Sequence, residues 1–278
     1  MKFEPIVRRD FSQPDRAEVQ ERVAQQVEHD PEPFLARYIE DPRSFGGYYV
    51  NSDLFKETFA EYRESRQTRN RYNAPVHNAA AVLASEQFRR VISYDLELGR
   101  NVALFLTGIP GAGKTTYVLR GGQLPGNVGV LYEGQLANAA HAFAKIGLAH
   151  DAGLRTEITV VHITSERALR NTLFRFETEG RGASIEAMAS IQGGLPAGLR
   201  AIHERFGGAV DLRIVDRRGT IAKVLRGWQH LSQLESEGGY EDIKRNLAGI
   251  LERDYHAGEI AQEAYEQALG QAPRDFPR

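Results

Sequence analysis

With 278 residues, the chain is long enough to form a large buried core. Its formal net charge of −2 gives it none of the cationic excess by which proteins bind nucleic acid through a broad surface, and the absence of cysteine excludes disulfide bonds and thiolate ligands. No apolar run approaches the ~20 residues of a membrane-spanning helix, and the N-terminus has no apolar signal core. We therefore expect a cytoplasmic protein whose partners are neither membranes nor nucleic acids.

Residues 1–45 are predicted to form a helical N-terminal arm. Val19, Val23 and Val27 recur at helical spacing among charged residues, and Pro31 ends this first helix. Two interpretations of the arm stay open. It either packs against the main domain, or it docks a partner and regulates the site.

An acidic residue follows the first predicted strand, which spans residues 46–50. An aspartate such as Asp53 at the end of a strand is commonly a helix N-cap, but it can also serve as a catalytic acid or base. The next predicted helix carries Lys56, which we expect to face solvent, and an arginine-rich polar turn is predicted over residues 66–73. Pro75 should then open a long helix that runs to about residue 98.

The segment from Val102 to Thr116, VALFLTGIPGAGKTT, contains the G-x-x-x-x-G-K-[ST] phosphate loop, preceded by a buried strand and followed by a helix. Glycines let such a loop curl so that backbone N–H groups point at a phosphate. Lys114 should reach the β- and γ-phosphates of ATP, and the Thr115 hydroxyl should hold Mg²⁺. The residues expected to bind ATP are Gly108, Ile109, Pro110, Gly111, Ala112, Gly113, Lys114, Thr115 and Thr116.

Strands and helices alternate after the phosphate loop. Strands are predicted over residues 128–132, 158–163 and 210–215, the first of them leading to Glu133, and the chain from Gly219 onward is predicted to be helical. This alternation indicates an α/β fold with a P-loop kinase-like parallel sheet and helices on both faces. The predicted divisions are the N-terminal arm over 1–45, the P-loop kinase-like domain over 46–220 and a helical C-terminal tail over 221–278.

A phosphate loop alone does not separate kinases from ATPases and GTPases. We find neither the Asp-Glu strand end of a mechanical ATPase nor a guanine-reading motif. Acids after two strands, Asp53 and Glu133, and arginines around residues 165–181 match what phosphoryl transfer to a hydroxyl requires. A carboxylate accepts the proton, and cations neutralise the charge of the transferred group.

Four stretches of the chain resemble the zeta-toxin family of small-molecule kinases. In that family an acid precedes a Phe-Lys or Phe-Arg helix, a strand ends in Glu-Gly-Thr, and a helix carries one arginine with a second just beyond it. The stretches are GIPGAGKTT, NSDLFKETFAEY, VLYEGQLAN and NTLFRFETEGRGAS, the last leading into VDLRIVDRRG.

The resemblance implies a role for several residues. Asp53 would be the general base, and Glu133 would orient the substrate or a metal-bound water. Arg175 and Arg181 would clamp the phosphates. His77 and Asn78, at the start of the long helix, would complete the acceptor pocket with Asp53 and Glu133.

In the family the acid-tipped strand follows the phosphate loop, whereas here it precedes it. The family sheet places the acid strand at one edge, one further strand next to it, and the phosphate-loop strand third. Exchanging the two strand–helix units keeps both crossovers in the same direction and right-handed, so the reordered chain can build the same site.

The expected activity is therefore that of an ATP- and Mg²⁺-dependent kinase of a small nucleotide-linked metabolite. Family members phosphorylate UDP-N-acetylglucosamine and are toxins held in check by antitoxins, so an antitoxin is an expected partner. Gln135 stands where the family has threonine. The alternatives are another acceptor, such as NAD, an antibiotic or a polynucleotide 5′ end, and a nucleotide-binding switch without acceptor chemistry.

Overall fold

The computed structural model describes residues 4–94, 99–119, 123–271 and 273. Its strands are β1 Tyr49–Asn51, β2 Val102–Thr107, β3 Val128–Glu133, β4 Arg155–His162, β5 Val210–Asp216 and β6 Lys223–Arg226. Its helices are α1 Pro14–His29, α2 Glu32–Glu40, α3 Ser52–Lys56, α4 Ala60–Arg63, α5 Arg66–Tyr72, α6 His77–Ile92, α7 Lys114–Leu119, α8 Ala139–Asp151, α9 Ser165–Glu179, α10 Ile185–Phe206, α11 Tyr240–His256 and α12 Gln262–Ala268.

The described strands form one sheet in the order β1-β3-β2-β4-β5-β6. The first five are parallel, and β6 runs antiparallel to β5. Glu133 at the end of β3 is in register with Asn51 of β1 on one side and with Leu106 of β2 on the other. This is the predicted order, in which the strand before Asp53 is the outermost strand and the phosphate-loop strand is third. Because these strands are parallel, their carboxyl ends meet on the same side of the sheet.

Helices cover both faces of the sheet, as predicted. All six residues of β2 are buried, since this strand lies between β3 and β4 and is covered on both faces. One buried cluster joins α1, α2, α6 and α8 to the sheet, and the other joins it to α9, α11, α12 and the first part of α10.

The N-terminal arm packs on the first of these clusters. The side chains of Val19, Val23 and Val27 are buried, as the helical spacing predicted. The hydroxyl of Tyr38 in α2 donates to the carbonyl of Tyr49 at 2.6 Å and accepts from the N–H of Asn51 at 2.9 Å. The arm therefore braces the strand that leads to Asp53. The division of the chain at residues 45 and 220 stays a prediction.

Three secondary-structure predictions need correction. The polar turn expected after residue 65 is helix α5, which starts with a capping box in which Ser65 and Thr68 bond to each other's backbone N–H groups. The tail expected to be helical contains β6, whose residues add to the sheet through β5. Helix α6 ends at Ile92, and residues 95–98 of the longer predicted helix lie outside the described residues. Among the described residues, no helix has the length and apolar character needed to cross a bilayer.

Candidate active site

The phosphate loop connects β2 to α7 and is shaped by three glycines. Gly108, Gly111 and Gly113 have φ values of 140°, 84° and 80°, a region that residues with a side chain rarely adopt. A Cβ on Gly108 would collide with the carbonyl oxygen of Val161, and a Cβ on Gly111 with that of Ala168. The loop therefore lies tightly against β4 and α9, and only glycine fits at these positions.

Side chains from neighbouring elements hold the loop in place. Asn171 of α9 donates to the carbonyl of Gly111 at 2.8 Å, and Arg217, just after β5, donates to the carbonyl of Ala112 at 3.4 Å. The ammonium of Lys114 donates to the carbonyl of Gly108 at 2.9 Å and lies 3.8 Å from Oε1 of Glu133. The loop lysine is thus folded over its own loop, as in phosphate loops that receive a nucleotide there.

The loop opens into a cleft of about 1000 Å³ at the carboxyl edge of the sheet. The predicted site residues that line it are Asp53, His77, Gly108, Pro110, Gly111, Ala112, Gly113, Lys114, Thr115, Thr116, Glu133, Arg175 and Arg181. Ile109 is buried beneath the loop, where its side chain packs in the core. Asn78 does not line the cleft; its amide donates to the carbonyl of Val7 at 2.7 Å, which corrects its predicted place beside the acceptor.

Asp53 lies in the first turn of α3, on the wall of the cleft, with its side chain 48% exposed. The helix cap is Asn51, whose Oδ1 accepts from the N–H groups of Asp53 and Leu54, so the Asp53 carboxylate is not used as the N-cap. Its Oδ1 lies 2.8 Å from Nζ of Lys56, and its Oδ2 lies 3.5 Å from Nη2 of Arg181. The Lys56 ammonium, and after it the Arg181 guanidinium, hold the pKa of Asp53 far below its usual value of 3.8.

The prediction that Lys56 faces solvent is wrong. Its side chain is only 4% exposed, and besides Asp53 it contacts Oδ1 of Asn73 at 2.7 Å. Short helix α3 turns the lysine inward, and the two oxygen partners compensate for the loss of water around the ammonium.

A chain of hydrogen bonds links the two acid-bearing strand ends. The hydroxyl of Tyr49 donates to Oε2 of Glu133 at 2.5 Å and accepts from Nδ2 of Asn51 at 2.8 Å. Burial, together with the Glu133 carboxylate, raises the pKa of Tyr49 well above 10. Tyr49 therefore stays protonated and keeps Glu133 directed at Lys114.

Helix α9 and the turn after it supply two arginines of the cleft, Arg175 and Arg181. Arg175 is 36% exposed, with Nε 3.7 Å from Oε2 of Glu179. The helix ends at Gly180, whose φ of 75° fits a left-handed cap, and the next residue, Arg181, turns back towards Asp53. A side chain at Gly180 would collide with the carbonyl of Arg66, so α5 fixes this turn.

Several residues that line the cleft were not singled out from the sequence. Arg43, Glu57 and Arg69 join the Asp53 end, and Arg167 and Arg217 join the phosphate-loop end. Two of them had a signal in the sequence: Arg217 follows the last parallel strand, β5, and Arg167 lies among the arginines of residues 165–181. The others lie on helices and turns whose positions depend on tertiary packing.

The cleft carries an excess of positive charge. Of the residues that the structure describes, seven arginine and lysine side chains line it against four carboxylates, which favours a polyanionic ligand. Burial, and next the Lys56 ammonium, lower the pKa of His77 to about 4, so its imidazole is neutral at pH 7 and can donate one hydrogen bond and accept one.

The residues present fit a Mg²⁺-nucleotide. The three loop glycines and Lys114 line the cleft, where backbone N–H groups and an ammonium can meet a phosphate, and Thr115 and Glu133 bring a hydroxyl and a carboxylate to the same cleft. Within the described ranges no group of three or more histidine or acidic side chains forms a metal cage. Mg²⁺ at a phosphate loop needs no such cage, because it keeps waters and binds the phosphates themselves.

The family comparison bears on the second half of this site. Residues 125–226 match the family model Zeta toxin. The resemblance to the zeta toxins is thereby confirmed over this stretch, which contains Glu133, Arg175 and Arg181. The match covers a little over a third of the chain and begins after the phosphate loop. It therefore does not include Asp53 and Lys114, whose positions are known from the structure alone. It supports a kinase-type phosphotransferase of the zeta-toxin kind that uses a nucleotide.

No curated protein matches the sequence. Two solved structures are similar in their chain path. One is the crystal structure of AvrRxo1-ORF1:AvrRxo1-ORF2 with sulphate ions, at 14% identity and a TM-score of 0.48 over 94% of this chain and 86% of that one. The other comes from the PezAT chromosomal toxin-antitoxin system of Streptococcus pneumoniae, at 11% identity and a TM-score of 0.42 over 88% of this chain and 98% of that one. At these values neither structure adds evidence about activity or partners.

Proposed function

We propose that the protein is an ATP- and Mg²⁺-dependent kinase that phosphorylates a hydroxyl of a small nucleotide-linked metabolite such as UDP-N-acetylglucosamine. One observation carries the proposal: an ionised carboxylate, Asp53, lines the same cleft as the phosphate-loop Lys114. Asp53 lies at the end of the cleft away from the phosphate loop, which is where a kinase needs the base for its acceptor hydroxyl. The family match over residues 125–226 supports the same chemistry.

The proposed reaction uses the chain's own groups as follows. Asp53 accepts the proton of the acceptor hydroxyl while that oxygen bonds to the γ-phosphorus and ADP leaves with the electrons of the broken bond. Lys114, Arg175 and Arg181 neutralise the charge of the transferred group. The Thr115 hydroxyl would hold Mg²⁺, which would supply further neutralisation of the phosphate charge.

The strong depression of the Asp53 pKa agrees with a base that acts late. In phosphoryl transfer with a loose transition state, the acceptor oxygen keeps its proton until the bond to phosphorus is well advanced, so orientation matters more than base strength. The Lys56 and Arg181 cations keep Asp53 ionised at any physiological pH, and it is therefore always ready to accept the proton.

We further propose that the protein is the toxin of a toxin–antitoxin pair and acts in the cytoplasm, where ATP and nucleotide sugars are found. The zeta-toxin match supports this role. Induced expression should then harm the host cell, and Asp53→Asn or Lys114→Ala should relieve the harm. Equal toxicity of the wild type and both variants would reject the kinase as its cause.

The direct test incubates the purified protein with Mg²⁺, γ-labelled ATP and a panel of UDP-sugars, NAD, aminoglycosides and 5′-hydroxyl oligonucleotides. We expect label to move to a UDP-sugar, and to be lost with Asp53→Asn. Asp211→Asn is the control, because Asp211 is 62% exposed and pairs only with the exposed Arg155 among the described residues. Label on another compound would correct the acceptor, and bound ATP without transfer to any compound would favour a nucleotide-binding switch.

A further inference from the structure

Lys56 is a buried lysine next to the active-site cleft. It does not line the cleft itself, and its ammonium contacts two side-chain oxygens, Oδ1 of Asp53 at 2.8 Å and Oδ1 of Asn73 at 2.7 Å. A buried ammonium without partners costs several kcal/mol, so a lysine at this position requires both oxygens to be in place. The two contacts come from different elements, α3 and the end of α5, which ties the position of Lys56 to the packing of both.

The two oxygens of Asp53 have different surroundings. Oδ1 makes a short contact with Lys56, which is buried and held by Asn73. Oδ2 lies 3.5 Å from Arg181, a longer contact, and the guanidinium of Arg181 also lies 3.9 Å from Glu57 and 4.0 Å from Glu179. Arg181 therefore has alternative partners, whereas Lys56 has no other carboxylate within 4 Å among the described residues.

We propose that Lys56 is a positioning residue that anchors Oδ1 of Asp53, so that Oδ2 is the oxygen that receives the proton of the acceptor hydroxyl. The inference rests on the proposed function, because it assigns a task within the same reaction. The acceptor proton moves to Oδ2 as the new O–P bond forms and ADP leaves, and Lys56 takes no part in the proton transfer.

Anchoring has two consequences for the base. The carboxylate cannot rotate freely about its last torsion, so one oxygen points into the cleft in every turnover. The fixed cation also favours the ionised form of Asp53, and the proton taken from the acceptor is released to water before the next turnover. Arg181 can leave Oδ2 for the phosphates when ATP arrives, while Lys56 stays.

Other charged or titratable groups also face Asp53, and any pH effect must be separated from theirs. They are His77 of α6, Arg175 of α9, Arg181 after α9 and the hydroxyl of Tyr62 in α4. Arg43, Glu57 and Arg69 line the same end of the cleft. The Lys56→Met variant leaves each of these in place. A change in the titration of Asp53 in this variant is thus assigned to the lost ammonium.

The test compares Lys56→Met and Asn73→Ala with the wild-type chain. Lys56→Met keeps the length and burial of the side chain without its charge, and Asn73→Ala keeps the charge but removes its second partner. Lys145→Met is the matched control, because Lys145 is a partly buried lysine of α8 that packs over the Tyr132 ring at 5.1 Å, away from the cleft. Circular dichroism melting checks that each variant is folded.

Two readouts are measured as a function of pH: the steady-state rate with ATP and the acceptor, and the ¹³C NMR shift of the Asp53 carboxyl without substrates. For Lys56→Met we expect kcat to fall about 10- to 100-fold with the Kd for ATP unchanged, an acid limb of the rate profile at higher pH, and an upward shift of the Asp53 titration. Asn73→Ala should show a smaller effect of the same kind, and Lys145→Met none.

A folded Lys56→Met variant with wild-type kcat and pH profile would overturn the anchoring role. If the wild type transfers phosphate to no acceptor, the proposed function fails and the NMR titration alone decides the anchoring. An Asp53 titration that moves in Lys56→Met then supports the ion pair but rejects its task in transfer, and one that does not move rejects both.

Discussion

The hydroxyl of Tyr49 donates a 2.5 Å hydrogen bond to Oε2 of Glu133, and so joins the first residue of β1 to the last residue of β3, at the carboxyl edge of the sheet where the cleft opens. The same hydroxyl accepts from Asn51, whose own Oδ1 caps the helix that carries Asp53. One buried hydrogen-bond network thus fixes the positions of both Asp53, which follows β1, and Glu133, which ends β3. A change at its centre should disturb both halves of the site.

Tyr49→Phe removes this hydroxyl without changing the ring. It leaves Nδ2 of the buried Asn51 without its acceptor and frees Glu133 to rotate, which should lower the free energy of unfolding by about 1–3 kcal/mol. We expect phosphoryl transfer to fall by about 10-fold or more. Urea unfolding and transfer kinetics measure both effects, with the half-exposed Tyr94→Phe as the control. A Tyr49→Phe protein with wild-type stability and activity would contradict the role of the network.

Lys114→Ala should abolish most of the phosphoryl transfer and leave the fold intact. The described hydrogen bonds of its ammonium go to carbonyls of its own loop, and its other contact is the 3.8 Å ion pair with Glu133, so little tertiary structure depends on it. Loss of one preorganised positive charge in such a site typically costs about 100- to 1000-fold in rate. Transfer of labelled phosphate measures the loss, while an unchanged melting temperature shows that the effect is local.

Gly111→Ala should damage ATP binding much more than its size suggests. The added Cβ would collide with the carbonyl of Ala168, and the residue would keep a φ of 84° that alanine disfavours. We expect destabilisation of about 1–3 kcal/mol and at least about a 10-fold weaker Kd for ATP by calorimetry. In the control, Gly249→Ala, the Cβ meets open space within α11, and a gain of about 0.5–1 kcal/mol is expected. Equal behaviour of the two variants would refute this account of the loop.

Acid should destabilise the protein partly through His162. Burial of this imidazole, and next the Arg218 guanidinium, lower its pKa from the usual 6.5 to about 4. The unfolded chain therefore binds a proton between pH 6.5 and 4 while the folded chain does not, so stability is full above pH 6.5 and falls as the pH drops towards 4. With the side chain only 1% exposed, the loss from this residue should reach about 2–3 kcal/mol. His162→Gln should reduce the acid-induced loss in urea unfolding by that amount, and an unchanged pH dependence would speak against it.

The sequence predicts the architecture well because its main signals are local. The glycine loop between a buried strand and a helix is recognisable in any context. The order of the strands was expected from the resemblance to the zeta toxins, and the handedness of crossovers showed that the exchanged units can keep that order. Acids such as Asp53 and Glu133 could be placed at one edge of the sheet because parallel strands all end there.

The features that were not predicted depend on contacts between distant segments. Lys56 follows Phe55 in a charged stretch, and its burial becomes understandable only once Asn73 lies beside it. Helix α5 has no apolar periodicity and is supported by its capping box and by the ion pair of Arg69 with Glu57. Strand β6 has only four residues, too few for alternation to be distinguished from a helical pattern.

The reordering of the first two strands also affects how the site can change. The wall that carries Asp53 and His77 is built from one uninterrupted segment that ends before the phosphate loop begins, while the opposite wall, with Arg175 and Arg181, comes entirely from the chain after it. Under the proposed function, a single crossover between two genes in the connection after α6 would therefore combine a new acceptor wall with an existing nucleotide wall. Where the acid-tipped strand follows the phosphate loop, as in the zeta-toxin family, that strand lies within the nucleotide-binding half of the sequence. Replacing the acceptor wall then needs two breakpoints.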